Sequence, residues 1–195
     1  MDERLNALLK ELEQFGTTND ARVTNHAEKM LNITPDTGAF LALLVRALKA
    51  RRVLEIGTSN GYSTLWLADA ARPRDGRVIT VEQSPVKTEM AHANFARAGL
   101  AAWIQQHQSD AGRWLKAQPS ASFDFVFLDS NRREYVAWWQ DLQRVLAPGG
   151  LMVVDNAVSH ANELQEFTEL VRATAGCTTS LVPVGNGELL ILKEE

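Results

Sequence analysis

Val53-Leu54-Glu55-Ile56-Gly57-Thr58-Ser59-Asn60-Gly61-Tyr62-Ser63 is the stretch whose reading decides the fold. An apolar run (Val53, Leu54, Ile56) meets Gly57, then a small polar loop, then Gly61, then a helical pattern. That is the order of a first parallel strand turning over into a helix. Two glycines let a ligand approach the backbone closely, and the helix N-terminus behind them offers free N–H groups. The spacing is G-x-x-x-G, preceded by Glu55, and it lacks the second glycine of the G-x-G-x-x-G dinucleotide fingerprint. A pyrophosphate is poorly cradled by such a loop. A nucleoside without one, such as S-adenosylmethionine (SAM), suits it better, although any α/β domain can carry a glycine-containing first turn.

Working outward, three helical segments precede this strand. Leu5, Leu8, Leu9, Leu12 and Phe15 recur at three- and four-residue steps and predict an amphipathic helix, broken by Gly16-Thr17-Thr18-Asn19-Asp20. A short second helix is expected from His26 to Leu31. Thr34-Pro35-Asp36 pairs an N-cap with proline at the first helical position, opening a helix through Phe40, Leu44 and Leu48. Residues 1–50 thus read as a cover added to an α/β core of residues 51–195, the whole forming one domain.

After Ser63 strands and helices alternate. A helix over Ser63–Ala71 and a turn over 72–76 lead to a strand, Arg77–Glu82. Ser84-Pro85 caps a helix stopping near Gly99, and Trp103–His107 is the third strand, with a short helix after Asp110. Phe123–Asp129 is a buried strand with an acid at its far end, and Glu134–Leu146 is helical. Pro148-Gly149-Gly150 leads into a strand over Leu151–Asn156, followed by a helix from about Asn162 to Ala175. The last segment, Ser180–Val184, then Gly185-Asn186-Gly187, then Glu188–Lys193, carries the Asn-Gly signal of a β-hairpin. The alternation predicts an α/β, Rossmann-like and mostly parallel sheet with helices on both faces, closed by one antiparallel strand. Such an ending is expected of the class I methyltransferase sheet rather than of dinucleotide-binding domains.

Composition narrows the function. A formal charge of −4 leaves no electrostatic footprint for nucleic acid or an anionic membrane. The single cysteine excludes an internal disulfide framework and fits a reducing, cytoplasmic setting. No apolar run reaches the roughly 18 residues of a membrane span, and Met1-Asp2-Glu3 is no signal-peptide start.

Ligands in open α/β sheets bind outside the carboxyl ends of the strands. Gly57–Ser63, Glu82, Asp129 and Asp155-Asn156 therefore belong together. Glu82 ends the second strand about 25 residues after Gly57 and is placed to accept both ribose hydroxyls of an adenosine group. Asp110, after the third strand, is read either near an adenine amino group or as the N-cap of the helix at Ala111. Asp129 and Asp155-Asn156 end two neighbouring strands. Two carboxylates and an amide oxygen suit a hard cation such as Mg²⁺, with Ca²⁺ or Mn²⁺ as related choices. Singly, each is also an ordinary turn residue after a strand. His160 lies close behind Asn156, within reach of the same rim, but with no second histidine at ligand spacing it reads rather as a surface or helix-capping residue. Trp66, Trp114 and Trp138-Trp139 read as core or interface packing.

Glu-Ile-Gly-Thr-Ser-Asn-Gly-Tyr-Ser, Phe-Asp-Phe-Val-Phe-Leu-Asp, Pro-Gly-Gly and Val-Asp-Asn, with Pro-Val-Gly-Asn-Gly near the C-terminus, resemble the cation-dependent O-methyltransferases, the group that contains catechol and caffeoyl-CoA O-methyltransferases. The resemblance runs from about Thr34 to Lys193. It implies a metal held by Asp129, Asp155 and Asn156, binding two adjacent hydroxyls of a small catechol-like acceptor. It also implies SAM across Glu55, Gly57, Gly61 and Tyr62, with Ser63 near the methionyl carboxylate. Glu82 would serve the ribose and Asp110 the adenine, Gln83 would belong to the same cofactor site, and Asp129 would serve both cofactor and reaction. A homodimer is implied as well. Two departures stand out. Family members commonly carry lysine three residues after the first metal aspartate, where Arg132 stands here; arginine is no general base, but can hold an anionic oxygen or a substrate carboxylate. The segment between Asn156 and the last helix is also short. Two alternatives stay open: a metal-independent SAM methyltransferase for another acceptor, and a SAM-binding protein without catalysis. An NAD-dependent oxidoreductase is disfavoured by the loop spacing and the closing hairpin.

Overall fold

The computed structural model describes residues Met1–Glu195. In chain order its regular elements are α1 (Glu3–Arg22), α2 (Pro35–Ala47), β1 (Arg52–Ile56), α3 (Tyr62–Ala71), β2 (Arg77–Glu82), α4 (Pro85–Ala98) and β3 (Ile104–Gln108). Next come α5 (Ala111–Lys116), β4 (Phe123–Leu128), α6 (Tyr135–Val145), β5 (Leu146–Val154), α7 (Ala161–Ala173), β6 (Cys177–Val182) and β7 (Glu188–Lys193). The strands form one sheet in the order β3-β2-β1-β4-β5-β7-β6. The first five are parallel, β7 runs antiparallel to β5, and β6 pairs antiparallel with β7 at the edge. β7 is thus the single strand that runs against the others, as the sequence suggested; it slots between β5 and β6, and β6 returns along the edge in the direction of β5.

The pleat sorts the strand side chains between two cores. Val53, Phe125, Phe127, Leu151 and Val153 face α1–α4, while Leu54, Ile56, Val126, Leu128, Met152 and Val154 face α5–α7. Both faces are covered, which is why these strands read as nearly continuous apolar runs. No helix is long and apolar enough to cross a membrane.

Four expectations need correction. First, α1 does not break at Gly16–Asp20 but runs on to Arg22. Gly16 is buried, and a Cβ there would lie 2.5 Å from Nδ2 of Asn32, which instead donates to the Leu12 carbonyl at 2.9 Å. A glycine costs a helix only about 1 kcal/mol relative to alanine, and this close contact offsets it. Second, the expected helix over His26–Leu31 is a single 3₁₀ turn, His26–Glu28. The N–H groups of Met30 and Leu31 go to the Asp20 carboxylate, at 2.7 and 2.8 Å, instead of to helical carbonyls. Third, Pro148-Gly149-Gly150 lies within β5, at a register shift against β4, and does not precede the strand. Fourth, β6 starts at Cys177, opposite Lys193, three residues before Ser180.

Candidate active site

The sheet ladder continues one residue past several strand ends. Gly57 N–H donates to the Val81 carbonyl, Asp129 N–H to Ile56, Asp155 N–H to Leu128 and Ser109 N–H to Glu82, all within 2.9–3.0 Å. These bonds bring the carboxyl ends of β1–β5 to one rim. Two cavities open there, of about 650 Å³ and about 360 Å³. They share Gly57, Glu82, Ser130 and Asn131 in their walls, so they form two ends of one trough.

Gly57 has φ +107°, and a Cβ on it would sit 1.9 Å from the Asp129 carbonyl oxygen. Gly61, at φ +87°, precedes α3, and a Cβ there would strike the Phe95 ring at 2.5 Å. Both glycines are thus demanded by the chain itself: one lets the loop cross the β4 terminus, the other lets α3 seat against α4. At the start of α3 the Tyr62 N–H is taken by Oδ1 of Asn60, while the N–H groups of Ser63 and Thr64 have no acceptor in the chain. Buried donors of this kind at a helix N-terminus are ready for an anion such as a carboxylate. Nδ2 of Asn60, fully buried in the same wall, is also without a partner.

Glu55 lies outside both cavity walls. It is fully buried and accepts from Oγ of Ser63 and Oγ1 of Thr80, each at 2.6 Å, and from the Thr64 hydroxyl. Burial pushes its pKa up to about 7 against the three hydroxyl bonds. The Ser63 hydroxyl is therefore committed to Glu55, and what Ser63 offers the cavity is its backbone N–H. Tyr62 lines the larger cavity and is otherwise buried, in edge-on contact with Trp66. Glu82 borders both cavities, and its two carboxylate oxygens accept from the N–H groups of Ser59 (2.9 Å) and Ser84 (2.8 Å). Each oxygen keeps further lone-pair capacity. Gln83 and Asp110 line the smaller cavity. Asp110 also caps α5 through Arg113 N–H at 2.8 Å, so its two readings are compatible.

Asp129, Asp155 and Asn156 meet in the wall of the larger cavity. Nδ2 of Asn156 lies 2.7 Å from Oδ2 of Asp155 and 3.4 Å from Oδ1 of Asp129. Asn156 adopts φ +66°, a left-handed turn that asparagine tolerates. Burial, then the neighbouring Asp155 and Glu55, raises the Asp129 pKa, and burial raises that of Asp155. Behind them Glu188 is fully buried, bonded by the Thr37 hydroxyl at 3.1 Å, with Oε2 otherwise unpaired. Burial and the adjacent Asp155 carry its pKa up to about 10, so it stays protonated and can donate a hydrogen bond to Asp155. Two carboxylates turned toward one point, Asp155 buried and Asp129 half-buried, are electrostatically costly alone, and a positive group relieves them. The Asn156 amide fills that role in part, and half a turn of the amide presents its oxygen instead. The oxygen-bearing side chains that meet here are the two carboxylates and the Asn156 amide. This hard-oxygen set fits a divalent cation, and the unpaired N–H groups with Glu82 fit the polar ends of SAM.

Arg132 lies beyond the acids, its Nε donating to Oε2 of Glu163 at 3.0 Å across the cavity mouth. The short link after Asn156 is held by the hairpin turn, with Ala157 N–H bonded to Gly187 and the N–H groups of Val158 and Ser159 to Asn186. A family model described as O-methyltransferase matches residues 3–194.

The chain belongs to the O-methyltransferase family. A catechol O-methyltransferase from Mycobacterium tuberculosis is 40% identical over 150 residues, covering 77% of this chain and 68% of that protein. One from Niastella koreensis is 35% identical over 139 residues, covering 70% of this chain and 62% of that protein. Among solved structures, the O-methyltransferase from Bacillus cereus in complex with SAH has a TM-score of 0.79 at 26% identity, covering 96% of this chain and 91% of that one. TomG from Streptomyces achromogenes, solved with SAM, has a TM-score of 0.79 at 29% identity, covering 100% and 91%.

Several wall residues of this methyltransferase escaped the sequence reading. Met30, Leu31, Asn32 and Ile33 reach the cavity from the segment after the 3₁₀ turn, and Lys87 from the first turn of α4. Only the fold reveals them, because no local pattern links these positions to β1. His160 takes the N-cap position of α7 without capping it; its Nδ1 bonds the Ser159 hydroxyl at 2.9 Å and its side chain lines the cavity. Trp139 packs in the core as expected, whereas Trp138 also forms a wall of the smaller cavity.

Proposed function

We propose that this chain transfers a methyl group from SAM to one hydroxyl of a small vicinal-diol aromatic acceptor, with a divalent cation, Mg²⁺ in the first instance, held at Asp129, Asp155 and Asn156. The observation that carries the reading is the meeting of these three oxygen-bearing side chains in a wall continuous with the glycine loop and Glu82. The names of the Mycobacterium and Niastella relatives support the acceptor class, and the ligands in the Bacillus and Streptomyces structures support SAM.

In this reading SAM supplies an electrophilic sulfonium methyl, and the cation supplies Lewis acidity that lowers a hydroxyl pKa. The chain's own residues do the rest. The Ser63 and Thr64 N–H groups hold the methionyl carboxylate, Glu82 receives the ribose hydroxyls, and Asp110 with Trp138 flanks the base. Asp129 and Asp155 set the position of the reacting hydroxyl relative to the loop, which converts the transfer into a unimolecular, well-aligned step. Arg132 is not the base, because a guanidinium stays protonated. Tyr135, fully buried, accepts the Ser130 N–H at 2.7 Å and keeps the loop after Asp129 in place. A homodimer belongs to the same reading; exposed Phe15, Leu43 and Leu48 offer it apolar surface, and light scattering tests it.

The test is methyl transfer to 3,4-dihydroxybenzoate, followed by mass spectrometry, with Mg²⁺ or with chelator, for the parent protein and Asp155→Asn. Product that needs Mg²⁺ and is lost in the variant, with SAM binding retained, is the expected result. Equal product in chelator overturns the metal assignment.

A further inference from the structure

The acceptor end of the larger cavity has an uneven chemistry. Its apolar and aromatic members are Met30, Leu31, Ile33 and Tyr62, three of them from one short segment. The wall beyond Asp129 is polar and carries a permanent cation, Arg132. The Arg132 side chain is only 18% exposed, and its Nε is committed to Glu163. Its two terminal nitrogens make no hydrogen bond to any group of the chain, although four N–H donors stand on them. That edge stands at the cavity wall with no protein acceptor, and its planar fork matches a carboxylate in a bidentate pair.

The acids of the same cavity are already occupied. Glu82 is tied to two backbone N–H groups and Glu163 to Arg132, while Asp129 and Asp155 face the cation of the reading above. Lys87 also lines the cavity, from the first turn of α4, but as a single point charge; the free edge of Arg132 is the fork left to the acceptor. A lysine here would present a single point charge; arginine presents two parallel donors. We propose that Arg132 is a specificity residue that selects acceptors bearing a carboxylate, so the substrate class is an anionic vicinal diol such as a dihydroxybenzoate rather than a neutral catechol. This inference rests on the proposed O-methyltransferase reading.

The test compares 3,4-dihydroxybenzoate with its neutral isostere, 3,4-dihydroxybenzamide, on the full chain with Mg²⁺. Two readouts are taken: kcat/KM with SAM, and calorimetric Kd with S-adenosylhomocysteine, where no turnover occurs. The acid is expected to be preferred by at least about tenfold in both. The acid-to-amide ratio should fall to about one in Arg132→Gln and keep an intermediate value in Arg132→Lys. A ratio near one in the parent protein, or a ratio unchanged in Arg132→Gln, overturns the inference while the acceptor reading stands. Failure of both compounds to bind or react, in protein that still binds S-adenosylhomocysteine, overturns the acceptor reading and this inference with it.

Discussion

Gly57 shows how much a single residue carries here. Its left-handed φ and the 1.9 Å approach of its absent Cβ to the Asp129 carbonyl join the cofactor loop to the first acid of the site. Gly57→Ala is expected to cost on the order of 2–3 kcal/mol, from backbone strain and the clash together, measurable by urea unfolding. Glu55 makes a second prediction. It titrates near 4.5 when unfolded and at about 7 when folded. Between these values the native state binds more protons, so its contribution to stability is lost as pH rises from 4.5 through 7 and is then constant. The difference corresponds to about 3 kcal/mol. Glu55→Gln should therefore show a flatter fall in stability across that window than the parent protein, and parallel curves would contradict the assignment.

Among the elements, the β1 turn, the parallel alternation and the closing hairpin were legible because apolar period and glycine placement encode them locally. So were Asp129 and Asp155-Asn156, each the first polar group after an apolar run. The course of α1 was not. Gly16 and Asn19-Asp20 look like a breaker in sequence, yet their partners, Asn32, Glu28 and Met30, lie 9 to 16 residues further on. The same long-range bonds convert the expected helix at His26–Leu31 into a 3₁₀ turn followed by an irregular stretch that borders the cavity. Asp20→Ala removes the acceptor for two N–H groups, Met30 and Leu31. It is expected to lower stability by about 1–2 kcal/mol and to raise hydrogen exchange selectively over residues 26–33. Uniform exchange across the chain would show that the segment is not held this way. Lys87 was hidden for a related reason: only the packing of α4 on the sheet turns it toward the trough.

At the scale of the whole molecule, the parallel sheet places polar strand ends on one rim and buries their carboxylates against Glu188. Asp129, Asp155 and Glu188 all have raised pKa values from burial and mutual repulsion. A cation competes with protons for Asp129 and Asp155, so its affinity rises with pH. Mg²⁺ should raise Tm, and by more at about pH 8 than at about pH 6. A shift that is absent, or equal at the two values, would argue that these acids serve the fold alone. The central claim is that Asp129, Asp155 and Asn156 hold a cation that in turn receives the acceptor. Its most direct test is calorimetric titration of 3,4-dihydroxybenzoate into the protein saturated with S-adenosylhomocysteine, with and without Mg²⁺. Binding that appears only with Mg²⁺ is the predicted result; binding of equal strength without it would contradict the account.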